Sequence, residues 1–143
     1  MIRAAVCACS AAALIGIVGL GAGQASAGKK DLPYAVKSCT KPRVEPTRIV
    51  FTCADAGLQY VAKHWNHWNG KSAGGRGKIL ANDCDPFCAG GAFHSYKAHI
   101  KLYKVRMRTC NGRRLPMYQK ARVKVRGHID GLGSSFKMSL YCI

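Results

Sequence analysis

The chain has 143 residues, of which 23 are Lys or Arg, 6 are Asp or Glu and 8 are Cys. This predicts one small, strongly basic, cysteine-rich domain and excludes a doubly wound nucleotide-binding fold with a second domain. The 16 glycines exclude a long coiled coil, and a composition that is 48% apolar and only 20% charged excludes disorder.

The N-terminal residues have the form of a secretory signal peptide. Arg3 is followed by an uncharged run over residues 4–23 and by an A-x-A cleavage site at residues 25–27. The run is long enough to span a bilayer, so a retained membrane anchor is the competing interpretation, although glycines interrupt its end. We expect residues 1–27 to be removed near Ala27 and the protein to be secreted, either extracellular or associated with the cell wall.

Removal of the signal peptide leaves an even number of cysteines, which in a short exported domain predicts disulfides. These cysteines are Cys39, Cys53, Cys84, Cys88, Cys110 and Cys142. We expect Cys110 to bond to Cys142. Cys39 and Cys53 are expected to bond to Cys84 and Cys88 in an unspecified order, because a bond between Cys84 and Cys88 closes a very small loop.

Residues 28–46 are rich in basic residues and prolines, which predicts an extended, weakly ordered basic arm tied down at Cys39. The disulfide-bonded β domain is expected to occupy residues 47–143. It contains several β-branched and aromatic runs separated by turn residues, a pattern typical of strands.

The first predicted strand covers residues 48–53. Residues 58–68 fit either a strand or one face of a helix, and we favour the strand because no capping residue opens a helix there. Residues 72–77 are expected to form a glycine-rich turn, and residues 78–81 a short strand.

Apolar and basic residues alternate most clearly in the second half of the chain. The phase of this alternation shifts near residue 103, which predicts a β-bulge. A turn at residues 111–112, a loop over 127–135 and a last strand over 136–143 complete the chain. About six strands and no predicted helix indicate a mainly β fold, a small antiparallel β-sandwich or barrel stapled by disulfides.

Cysteine, tryptophan and glycine recur in a characteristic spacing over about residues 39–125. It comprises Cys39, a C-A-D segment at residues 53–55, Trp65 and Trp68, and an N-D-C-D-P-F-C-A-G segment at residues 82–90. The pattern resembles that of small exported, Cys-rich actinobacterial proteins of unassigned function. The resemblance implies export, disulfides and a β-rich domain, and it transfers no catalytic or binding residue.

A basic surface is the strongest functional signal. If residues 97–108 and 118–126 pair as a hairpin, their basic side chains share the solvent side of two adjacent strands. His99 shares this side. The candidate polyanion-binding residues are Lys97, Lys101, Arg113, Arg114, Lys120, Arg122, Lys124 and Arg126. Like charges opposite one another destabilise a sheet, and a bound anion offsets that cost.

This pattern predicts a non-catalytic binding module for anionic polymers or surfaces, namely nucleic acid, anionic cell-wall polymer or anionic lipid. The competing interpretation is a solvated face that only confers solubility. We expect the module to be a monomer and to need no cofactor.

A tandem His-Trp-Asn repeat occupies residues 64–69. Exposed indoles stack on sugars or bases, but a domain with few other large apolar side chains needs at least one Trp in its core. In a regular strand Trp65 and Trp68 point to opposite faces. We therefore expect Trp65 to be buried and Trp68 to lie near the surface.

Two other kinds of chemistry have weaker signals. Cys84, Cys88 and His94 have a spacing compatible with zinc, but exported cysteines normally oxidise, so no metal is expected. Carboxylates are few and no catalytic motif is present, so the chain is expected not to be an enzyme. The alternative is a small secreted His-dependent ribonuclease, with a Lys or Arg on the phosphate and its acid and base drawn from His64, His67, His99 and His128.

Overall fold

The structure, a computed structural model, describes residues 32–143, so the predicted signal peptide and residues 28–31 of the predicted arm lie outside the described residues. The described chain is all-β. Its strands are β1 (Ala35–Ser38), β2 (Lys41–Arg43), β3 (Arg48–Val50), β4 (Leu58–Trp68), β5 (Ser72–Asn82), β6 (Phe93–Cys110), β7 (Arg113–Ile129) and β8 (Gly133–Ser139). The described part of the chain has no helix long and apolar enough to cross a membrane.

Strands β3 to β8 form a six-stranded antiparallel meander in chain order, and β1 pairs with β2 in a separate two-stranded sheet. The predicted antiparallel fold is confirmed. The predicted hairpin is formed by β6 and β7, which pair from Ala98↔Val125 to Cys110↔Arg113. The edge strands β3 and β8 do not pair with each other, so the barrel alternative is wrong.

The core lies between one face of the meander and a covering segment, residues 32–47, which precedes β3. Ile79, Ile100 and Val123 face inward from neighbouring strands of the sheet and are almost fully buried. Ala35 of the covering segment and Phe51 of the β3–β4 connection belong to the same buried cluster. The stretch predicted to be a weakly ordered arm therefore differs from that prediction: from residue 32 onward it supplies the second layer of the fold.

Residues 32–143 contain three disulfides, and the predicted Cys110–Cys142 bond is confirmed. The other two are Cys39–Cys53 and Cys84–Cys88, so the prediction that these two pairs bond to each other is wrong. Asn82 gives the physical reason: its side chain accepts a hydrogen bond from the Cys84 amide at 2.9 Å and donates one to the Cys88 carbonyl at 2.8 Å. These two bonds fold the β5–β6 loop so that its two thiols meet.

Strand β5 begins at Ser72, so the glycine-rich stretch is a strand and not the predicted turn. Its glycines make room for side chains of the neighbouring strand β4. A Cβ at Gly75 would lie 2.7 Å from Cε3 of Trp65, closer than side-chain packing allows. The glycine content of this segment reflects close packing between strands.

The end of the chain also differs from prediction. Strand β7 continues to Ile129 and β8 covers Gly133–Ser139, so the predicted loop shrinks to residues 130–132 and the last strand ends four residues early. The predicted phase shift occurs at Lys104, whose φ of 63° is left-handed. The pairing of β6 with β7 keeps one register on both sides of Lys104, so no single-strand bulge forms there.

Candidate polyanion-binding face

The His-Trp-Asn repeat places its histidines and its tryptophans on opposite faces of β4. Lys63 and Asn66 have no partner on β5, because each is the extra residue of a bulge. The register runs Ala62↔Gly77, His64↔Arg76, Trp65↔Gly75, His67↔Gly74 and Trp68↔Ala73. The bulge at Asn66 lies between the two His-Trp pairs and lengthens the side-chain period there from two residues to three.

Both tryptophans therefore face the core, and the prediction that Trp65 and Trp68 point to opposite faces is wrong. Trp68 is only 9% exposed, and its ring meets that of Trp65 edge to face with centroids 4.7 Å apart. The indole N–H of Trp65 donates to the Pro46 carbonyl at 3.1 Å, and that of Trp68 to the Pro33 carbonyl at 2.7 Å. The tryptophans thus fasten the covering segment to the sheet.

The opposite face of the meander carries cationic and imidazole side chains on five neighbouring strands. We call this surface the basic face. It consists of His64, His67, Arg76, Lys78, Lys97, His99, Lys101, Lys120, Arg122, Lys124 and Lys137. All are exposed except Lys120, which is half-buried and donates a hydrogen bond from Nζ to the Ser139 hydroxyl at 2.6 Å.

The strand register aligns these residues in rows across the sheet. One row contains His64, Arg76, His99 and Lys124, and the next contains His67, Gly74, Lys101, Arg122 and Lys137. Neighbours in a row lie on adjacent strands, about 5 Å apart. Lys101, Arg122 and Lys137 are like charges on successive strands and repel one another, an electrostatic cost that an anion lying across the strands would relieve.

The described carboxylates lie away from the basic face. Asp55, Asp83, Asp85 and Asp130 occupy the β3–β4, β5–β6 and β7–β8 connections, which share one end of the meander, and Glu45 precedes β3. Within residues 32–143 no Lys or Arg lies within 4.0 Å of a carboxylate. The positive charge of the basic face is therefore not neutralised by the described part of the protein.

The structure brings together most, but not all, of the residues predicted to bind a polyanion. Lys97, Lys101, Lys120, Arg122 and Lys124 lie on the basic face, and Arg126 continues their alternation beyond the last residue of β7 that pairs with β6. Arg113 and Arg114 are exposed at the β6–β7 turn, at the far end of the strands. They are separate from the aligned rows.

Three cations of the basic face were not among the predicted polyanion-binding residues, namely Arg76, Lys78 and Lys137. Arg76 and Lys78 alternate with small and apolar residues of β5, but the expected glycine-rich turn hid this alternation. Lys137 lies between Phe136 and Met138 in β8 and was detectable by the same period-2 pattern.

An open depression of about 470 Å³ interrupts the basic face at Gly74. Its principal polar lining residues are His67, Arg76, His99 and Lys101. A Cβ at Gly74 would lie 2.4 Å from Cε1 of His67, so the imidazole lies directly over the glycine backbone. The Nε2 atom of His67 is 3.2 Å from the Ser72 hydroxyl, which orients the ring.

The turn between β4 and β5 holds this geometry in place. The side-chain oxygen of Asn69 accepts hydrogen bonds from the backbone amides of Lys71 and Ser72, both at 2.9 Å. The backbone carbonyl of Asn69 accepts a hydrogen bond from the Tyr118 hydroxyl. Burial raises the pKa of Tyr118 to about 12, so this hydroxyl stays protonated and remains a donor at neutral pH. The rim of the depression is thus tied to the core.

A second depression, of about 600 Å³, lies beside Lys104 and continues the cationic surface. Its cationic lining residues are Lys104, Arg106, Arg108 and Lys120. Met107 and Tyr141 also line it and are 50% and 69% exposed. Lys120 belongs to both this depression and the basic face, so the two positive regions are contiguous.

The residues considered as zinc ligands make other contacts in the structure. The sulfur atoms of Cys84 and Cys88 lie near the Asp55 carboxylate, but they are bonded to each other. His94 instead pairs with Asp83, Nε2 to Oδ2 at 2.9 Å, and this hydrogen bond and two backbone amides hold the pKa of Asp83 below its usual value. His128 lies near the β7–β8 turn, away from the two rows.

Comparison of the chain with protein-family models, curated proteins and solved structures finds no match in any of the three. The candidate function therefore rests on the geometry and charge of the basic face.

Proposed function

We propose that this protein is an exported binding module that holds anionic polymers or surfaces on its basic face without a catalytic step. The ligand classes are nucleic acid, anionic cell-wall polymer and anionic lipid. We also propose that the signal peptide is removed near Ala27 and that the protein acts outside the cell or at the cell wall. The three disulfides, typical of oxidising compartments, support this location.

One observation carries the proposal, namely the aligned rows of cations on neighbouring strands with every described carboxylate elsewhere. A purely solubilising surface is expected to intersperse both signs of charge, and it needs no alignment. Lys101, Arg122 and Lys137 lie on successive strands whose backbones are about 5 Å apart, so a polymer lying across the sheet can contact several cations at once. Multiple contacts of this kind release counterions and give strong, salt-dependent binding.

The test removes four cations from the basic face and compares the result with an equal loss of charge elsewhere. The face variant is K101S/R122S/K124S/K137S, and the matched control, from exposed positions of the covering segment and β3, is K37S/K41S/R43S/R48S. If each contact contributes about 0.7 kcal/mol, the face variant binds single-stranded RNA about a hundredfold more weakly at low salt. The slope of log K against log salt becomes shallower by about three units.

Affinity for labelled RNA, poly(glycerol phosphate) and phosphatidylglycerol vesicles is measured at several salt concentrations, with circular dichroism as the check of folding. Equal losses in the two variants would show that binding follows net charge, and the solubility interpretation would then replace the proposal.

RNA cleavage is the second candidate function, favoured by one specific observation. His67 and His99 line the same depression as Arg76 and Lys101, which supplies an acid, a base and phosphate-binding cations in one place. Under the binding proposal, RNA incubated with the protein at low salt stays intact. Cleavage that disappears in H67A or H99A would favour the ribonuclease.

A further inference from the structure

We propose that the depression over Gly74 is a subsite for a single phosphodiester group of the bound polymer. This inference rests on the proposed function and adds to it the chemical group that is recognised. The ligand classes proposed above can all present phosphodiesters, whereas an evenly charged surface has no preference among anions. The local geometry of four side chains distinguishes the subsite from the rest of the basic face.

The first supporting feature is the space. Every other position in the two central rows carries a side chain, whereas at Gly74 the His67 ring from the neighbouring strand takes that place, and the depression lies beside this ring. His67 and Lys101 are separated by two strand spacings, or about 10 Å between backbones.

The second feature is the set of hydrogen-bond donors around the depression. Arg76 and His99 are direct neighbours in the register, and they border the same depression as His67 and Lys101. A guanidinium donates two parallel hydrogen bonds to phosphate oxygens, a lysine ammonium supplies a point charge, and an imidazole N–H donates along a defined direction. These four side chains line one depression from three strands, β4, β5 and β6.

The third feature is the orientation of His67. Its Nε2 atom faces the Ser72 hydroxyl, and Nδ1 has no hydrogen-bond partner among residues 32–143. The ring is confined over Gly74 and next to a turn that Asn69 and Tyr118 fasten to the core. Because the ring is confined before the ligand arrives, less side-chain entropy is lost on binding.

The proposal is tested with H67A/H99A and the matched control K78A/K97A. Lys78 and Lys97 are exposed cations of the same face that pair across β5 and β6, two residues along the strands from Arg76 and His99. An imidazole carries at most one positive charge, so the control loses at least as much charge as the histidine variant. We expect H67A/H99A to bind single-stranded RNA about tenfold more weakly, and K78A/K97A about threefold more weakly.

The polymer is then varied to identify the recognised group. The larger effect of H67A/H99A is expected for RNA, for poly(glycerol phosphate) and for phosphatidylglycerol vesicles, and not for poly-glutamate, whose carboxylates are planar. A direct measurement uses the unmodified protein: dimethyl phosphate is expected to shift the Cε1–H resonances of His67 and His99 in NMR spectra, but not those of His94 and His128.

Several results would overturn the subsite. These are an equal loss of RNA affinity in the control and histidine variants, a response of poly-glutamate like that of RNA, and histidine resonances that dimethyl phosphate leaves in place. Cleavage of RNA by the unmodified protein would show that the two histidines perform acid–base chemistry instead. If the proposed function itself fails, the four-site face variant behaves like its control, so the two failures are distinguishable.

Discussion

Replacement of Trp68 by alanine is expected to lower the free energy of unfolding by about 3–5 kcal/mol, the range for removal of a large aromatic side chain from a core. Trp68 is only 9% exposed and packs edge to face on Trp65 and on Tyr118, with centroids 4.7 Å and 5.3 Å away. Its indole N–H is also the donor to the Pro33 carbonyl in the covering segment. The substitution therefore weakens both the core and the attachment of the second layer.

Two further variants separate these contributions. Trp68→Phe keeps a ring but leaves the Pro33 carbonyl without its donor, which is expected to cost about 1–3 kcal/mol. Tyr141→Ala removes an aromatic side chain that is 69% exposed, so we expect the free energy of unfolding to change by no more than about 0.5 kcal/mol. Urea denaturation with an unchanged m-value gives the comparison. A Trp68→Ala variant as stable as Tyr141→Ala would contradict the role assigned to Trp68.

Loss of the Cys110–Cys142 disulfide is expected to lower the free energy of unfolding more than loss of either of the other two described disulfides. Chain-entropy arguments assign about 4 kcal/mol to a loop with a sequence separation of 32, but about 2 kcal/mol to one with a separation of 4, as in Cys84–Cys88. Cys110 is also only 1% exposed and packs with Val36 and Met117 in a second buried cluster. This bond ties the C-terminal residues to the β6–β7 turn.

The free energies of unfolding of C110A/C142A and of C84A/C88A are each compared with that of the unmodified protein under non-reducing conditions. The second variant is the matched control, since it removes the same atoms from an exposed loop. Equal destabilisation by the two variants would mean that neither loop length nor the buried cluster around Cys110 governs the effect of these cross-links.

Much of the architecture was predictable because side-chain direction in a strand follows a local rule. Lys120, Arg122 and Lys124 alternate with Ala121 and Val123, and any strand with this pattern has one basic side and one apolar side. The same rule, applied to both halves of a hairpin, predicts without the register that the cations of β6 and β7 share one face.

The arrangement of β4 and β5 was not predictable in this way. A bulge exists only relative to a partner strand, so nothing local to the sequence shows that Lys63 and Asn66 are the extra residues. Likewise, Gly74 and Gly75 suggest a turn when considered alone. Their role as space for the His67 and Trp65 rings depends on which residues lie opposite them.

By itself, the sequence determined the strand-rich class, the excess of positive charge and the two-sided character of β6 and β7. These depend on composition and on a period of two residues. The tertiary structure decided which cysteines meet, that both tryptophans face inward, and that His67 and His99 share an opening with Arg76 and Lys101. Each of these results from contacts between segments distant in the chain or from the folding of a loop, because register and loop geometry, not residue type, set which side chains become neighbours.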